Sequence, residues 1–91
     1  MAISFYFAPE AMSAEQYDEV TANLEAAGQG SPAGRIYHVA FEGQGGIDVF
    51  DVWESQEAFD AFGETLMPIL AAAGVDPGTP MVAAVHNVIA G

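Results

Sequence analysis

The chain has 91 residues, of which 52% are hydrophobic, and it carries 13 acidic side chains against a single basic one, Arg35, for a formal net charge of -12. That balance excludes nucleic acids and anionic membrane surfaces as partners, because both are held by clustered Lys and Arg. There is no cysteine, which excludes disulfides, thiolate catalysis and Cys-ligated zinc.

The length predicts one domain spanning residues 1–91. A chain of this size buries only about 60 to 68% of its unfolded surface, so a second copy of the chain would add needed core and a homodimer is expected. The opening run MAISFYFAPE has no basic n-region. No apolar run approaches the ~20 residues of a membrane span. A cytoplasmic location follows as the expectation.

Residues Ala2 to Ala8 are rich in β-branched and aromatic types and stop at Pro9, which predicts a first strand. Ser13 and Gln16 form an S-x-x-Q capping box, with Met12 and Tyr17 at the staple positions. Tyr17, Val20, Thr21 and Leu24 then recur at helical spacing. GQGSPAG, from Gly28 to Gly34, is a stop and a loop. Two alternating runs around Gly43 to Gly46 predict a β-hairpin.

Ser55 caps a second predicted helix, with Ala58, Phe59, Phe62, Leu66, Ile69 and Leu70 on one side. Pro68 removes a backbone donor and crowds the preceding turn. The helix is therefore expected to end near Leu66, with a separate short turn to Ala73. Met81 to Ile89 reads as a last strand. The order strand, helix, strand, strand, helix, strand is the ferredoxin-like βαββαβ pattern, an α+β fold with a four-stranded antiparallel sheet and both helices on one face.

Within the hairpin, side chains alternate between faces. Any even-length turn places His38, Asp51 and Trp53 on one face, whereas a three-residue turn separates them. With Gln44-Gly45 or Gly43 to Gly46 as the turn, His38 lies directly opposite Asp51. With Gly45-Gly46 it faces Trp53. The other face collects Tyr37, Val39, Phe41, Phe50 and Val52, an apolar surface fit for a dimer.

A carboxylate beside an imidazole fixes its tautomer, which prepares a general base. His38 is thus the candidate base and Asp51 its orienter. Trp53, Phe59, Phe62 and His86 are the candidate substrate-binding residues. Arg35 falls near Glu54 in the hairpin register and is expected to form an ion pair. No H-x-x-x-H or H-x-E-x-H spacing is present, so no metal site is expected.

DVFDVWESQEAFDAF, followed by LMPILAAAG, resembles the dimeric α+β barrel superfamily that includes the antibiotic-biosynthesis monooxygenases. The W-x-S-x-E-A-F run from Trp53 to Phe59 is its most specific part, and the element order extends the resemblance over essentially the whole chain. The resemblance implies a homodimer whose two sheets close into a barrel, with a pocket in each subunit between sheet and helices. Members include cofactor-independent oxygenases of aromatic polyketides, haem-degrading enzymes and isomerases.

The oxygenases carry an asparagine where this chain has Val49. The haem degraders carry a histidine where it has Gly63, and their first-strand asparagine is missing. No cofactor is therefore expected. Two readings stay open: a cofactor-independent monooxygenase or isomerase of an apolar or aromatic metabolite with His38 as base, and a non-catalytic small-molecule-binding or accessory module in which the cluster is structural.

Overall fold

A computed structural model describes residues 1–89 and 91. The elements are β1 (Ile3–Phe7), α1 (Ala14–Ala26), β2 (Arg35–Glu42), β3 (Ile47–Trp53), α2 (Gln56–Ala72) and β4 (Met81–Ala84). The strands form one antiparallel sheet in the order β2-β3-β1-β4. This is the ferredoxin-like arrangement that the element order predicts.

Register fixes the two faces. Phe5 pairs with Asp51 and Ile3 with Trp53, so Ile3, Phe5, Phe7, Val49, Asp51 and Trp53 share the face beneath the helices. Phe5 and Trp53 are fully buried there, with Val20 and Leu24 from α1 and Phe62 and Leu70 from α2 in the same core cluster.

The hairpin turn is the four residues Gly43 to Gly46, with Glu42 opposite Ile47 and the Gly43 amide donating to the Gly46 carbonyl at 2.7 Å. Gly46 has φ +143°, and a Cβ there would collide with the Met12 carbonyl, so no side chain fits. The same carbonyl accepts from the Ile47 amide at 2.8 Å. The turn is thereby pinned to the chain entering α1.

The capping box forms as the sequence predicts: the Gln16 amide donates to Ser13 Oγ at 3.0 Å and the Ser13 amide to Gln16 Oε1 at 2.9 Å. Gln16 Nε2 also donates to the Ala73 carbonyl at 3.1 Å, tying the start of α1 to the end of α2.

Three expectations are corrected. First, α2 runs unbroken from Gln56 to Ala72 with Pro68 inside it. The carbonyl that proline deprives of a donor belongs to Glu64, four residues back, and both residues are solvent-exposed, so water can take the lost bond. Phe62 and Leu70, on either side of the proline, are both buried in the core and hold the helix in line.

Second, the last strand ends at Ala84 rather than Ile89, and all four of its residues are exposed. Third, Ile36 is an extra residue between Arg35, which pairs with Trp53, and Tyr37, which pairs with Val52. The bulge moves Arg35 out of register with Glu54. Its guanidinium instead donates to the Gly30 carbonyl at 3.0 Å.

Candidate active site

The four-residue turn is even, so His38 and Asp51 stand directly opposite each other in the β2–β3 ladder. His38 Nδ1 lies 2.5 Å from Asp51 Oδ1. A carboxylate only accepts, so the ring carries its proton on Nδ1. Asp51 is 5% exposed, and its second oxygen accepts from Trp53 Nε1 at 3.1 Å. Both carboxylate oxygens are thus engaged.

One member of this cluster is not foreseen from the hairpin alone. The Tyr17 hydroxyl lies 2.7 Å from His38 Nε2, and the two rings are nearly parallel, 6° apart. With the imidazole neutral and Nδ1 protonated, Nε2 is the lone-pair nitrogen and accepts from the phenol. Tyr17, His38, Asp51 and Trp53 therefore form one continuous chain of hydrogen bonds from α1 across the sheet. The signal for Tyr17 is its place on the inward stripe of α1, with Val20 and Leu24 three and seven residues on.

Burial raises the Tyr17 pKa, and the nearby charges of Asp51 and Asp18 push the same way. The positive charge of Arg35 opposes them. The hydroxyl is thus a neutral donor at ordinary pH.

A cavity of about 890 Å³ lies between the sheet and the two helices. Tyr17, His38 and Asp51 are in its wall, as are Phe59, Phe62 and Leu66 of α2. Arg35 lines it too, and the acidic side chains of Glu25, Asp60 and Glu64 stand at its exposed positions. The rest is mostly apolar, the form of a small-molecule site in which a few polar groups fix orientation.

The structure thus brings His38, Asp51, Phe59 and Phe62 together. It does not bring Trp53 to the cavity surface. The indole is 0% exposed and packed against Phe59 and Phe62, with ring centroids 5.6 and 5.1 Å away. Its size makes it core, and its N–H holds Asp51. Nor does His86 join the site: it lies exposed beyond the end of β4, which stops two residues earlier.

The outer face of the sheet holds a second polar pair. The Tyr6 hydroxyl donates to Asp48 Oδ2 at 2.8 Å, and that bond raises the Tyr6 pKa, with burial and the Asp48 charge adding to it. Asp48 is 7% exposed. This face is therefore not purely apolar apart from Tyr37, as its strand pattern implies.

No family model and no curated protein sequence matches the chain. Solved structures do. SnoaB, a cofactor-independent oxygenase from Streptomyces nogalater, is 15% identical over 97% of this chain and 94% of its own, with a TM-score of 0.61. A candidate antibiotic biosynthesis monooxygenase from Chloroflexus aurantiacus is 14% identical over 98% and 95%, also at 0.61. A second candidate of that kind, from Caulobacter crescentus, is 17% identical over 97% and 89%, at 0.58.

This chain shares with these structures its ferredoxin-like α+β fold, a four-stranded antiparallel sheet with two helices. No helix among the described residues is long and apolar enough to cross a membrane.

Proposed function

We propose that the protein is a single-domain cytoplasmic homodimer that binds an apolar, aromatic metabolite between sheet and helices and removes a proton from it without a cofactor. The observation that carries this reading is the cavity whose wall contains the Tyr17–His38–Asp51 chain. His38 is the proton acceptor of that chain, and Asp51 stabilises the imidazolium that results. Phe59 and Phe62 supply aromatic walls.

SnoaB is described as a cofactor-independent oxygenase, and the same chemistry fits here. A substrate methylene loses a proton, the carbanion adds dioxygen, and the hydroperoxide loses water to leave a ketone. One oxygen atom stays and the other departs as water, so dioxygen is the only oxidant. An isomerase would use the same first step and return the proton elsewhere.

On the outer face, Tyr37 and Phe41 are 52% and 38% exposed beside Val39 and Phe50. This apolar surface supports a face-to-face homodimer.

The test is oxidation of anthrone, an aromatic ketone with an acidic methylene, followed by oxygen uptake. Turnover by the wild-type protein that is lost in His38→Ala with an unchanged circular dichroism spectrum is the expected result. Turnover that survives His38→Ala overturns the assignment.

The non-catalytic alternative has one observation in its favour: no buried side-chain nitrogen or oxygen among the described residues lacks a hydrogen-bond partner, as a purely structural cluster would have it.

A further inference from the structure

Resting on the reading of the cavity as a proton-abstracting site, we propose that Tyr17, not His38, is the group that meets the substrate, its hydroxyl taking the substrate proton while passing its own to His38 Nε2. Neither ring nitrogen of His38 is free. Nδ1 is held by Asp51 at 2.5 Å and Nε2 by the Tyr17 hydroxyl at 2.7 Å. A substrate entering the cavity therefore finds the imidazole already closed at both ends. The phenol oxygen, by contrast, spends its one proton on His38 and keeps lone-pair capacity for a second. Tyr17 also lines the same cavity as the aromatic wall.

The alkaline-shifted phenol does not ionise by itself, which makes the two proton transfers one event. The substrate C–H bond breaks and its electron pair stays on the substrate as an enolate. The proton bonds to Tyr17 Oη, the Tyr17 O–H bond breaks, and that proton bonds to His38 Nε2. The products are the substrate anion and an imidazolium paired with Asp51, and no electron acceptor is consumed. Asp51 in turn is held in place by Trp53 Nε1 at 3.1 Å. Asp51 and Trp53 are thus positioning residues, and Tyr17 is the catalytic one.

The experiment is hydrogen–deuterium exchange of the anthrone methylene in D2O under argon, followed by proton NMR, with wild type, Tyr17→Phe, His38→Ala and the double variant. Phenylalanine keeps the ring that packs in α1 and removes only the hydroxyl. If Tyr17 is the contact group, Tyr17→Phe loses exchange on the order of a hundredfold, and the double variant loses no more than either single one, because the two residues act as a unit.

If His38 meets the substrate directly, Tyr17→Phe uncovers Nε2. Exchange is then kept or increased, which overturns the proposal while leaving the proton-abstracting site intact. Absence of exchange with the wild-type protein overturns that site and the proposal with it.

Discussion

His38 and Asp51 face each other across the β2–β3 ladder with Nδ1 and Oδ1 2.5 Å apart, and the other oxygen of Asp51 is held by Trp53 Nε1. Two donors thus converge on one buried carboxylate. An asparagine can satisfy only one of them through its single oxygen. In Asp51→Asn the amide oxygen is expected to keep Trp53 Nε1–H, and the amide N–H to donate to His38 Nδ1. The imidazole proton then moves to Nε2. Nitrogen-15 NMR of the histidine ring at a pH where it is neutral should show this tautomer exchange. An Nδ1–H tautomer retained in the variant would contradict the described network.

Trp53→Phe separates the indole's bulk from its N–H. The ring still packs against Phe59 and Phe62, but Asp51 Oδ2 loses its donor in a buried setting. The expected cost is about 1 to 3 kcal/mol in urea unfolding, below the roughly 3 to 5 kcal/mol of a full truncation to alanine. A Trp53→Phe variant as stable as wild type would mean that the Asp51 bond contributes nothing.

Tyr17 and Tyr6 both titrate above the ordinary phenol range, Tyr17 chiefly through burial and Tyr6 chiefly through its bond to Asp48. A phenol whose folded pKa is raised binds its proton more tightly in the native state. Its contribution is therefore fully present below the unfolded value of about 10 and is lost as pH rises from there through the folded value. Stability should fall above that pH, and less steeply in Tyr17→Phe. Arg35 lowers the Tyr17 pKa, so Arg35→Gln should push the tyrosinate absorbance midpoint of Tyr17 further up. A midpoint that moves down would place the guanidinium elsewhere.

Pro68 sits four residues before the end of α2 with its side chain exposed. Pro68→Ala restores the amide that the Glu64 carbonyl lacks and removes the ring's crowding of the preceding turn. A gain of about 1 to 3 kcal/mol in unfolding free energy is expected, readable as a higher urea midpoint. No gain would indicate that the helix is bent to suit the proline.

The hairpin was legible in the residues because parity is a strict rule: an even turn puts His38, Asp51 and Trp53 on one face whatever its length. Trp53 shares the face yet not the cavity surface, since Phe59 and Phe62 pack over the indole, and strand alternation says nothing of what a helix lays on top. Tyr17 reads in the sequence as a staple and helical stripe residue and not as a partner of His38, because the rotation of α1 over β2 depends on tertiary packing. Arg35 and His86 were misplaced for local backbone reasons. A one-residue bulge at Ile36 and an early end to β4 leave no mark in apolar patterning, and Pro68 is tolerated only because its face of α2 meets water.

The most direct test of the account is a nitrogen-15 NMR titration of the protein with a dihydroxyanthraquinone, a flat aromatic ligand that cannot be oxidised further at the reacting carbon. Saturable shifts at Tyr17, His38, Phe59 and Phe62, with the outer-face residues Tyr37 and Phe41 unmoved, are the predicted result. Shifts confined to the outer face of the sheet, or none at saturating ligand, would contradict the placement of the site between sheet and helices.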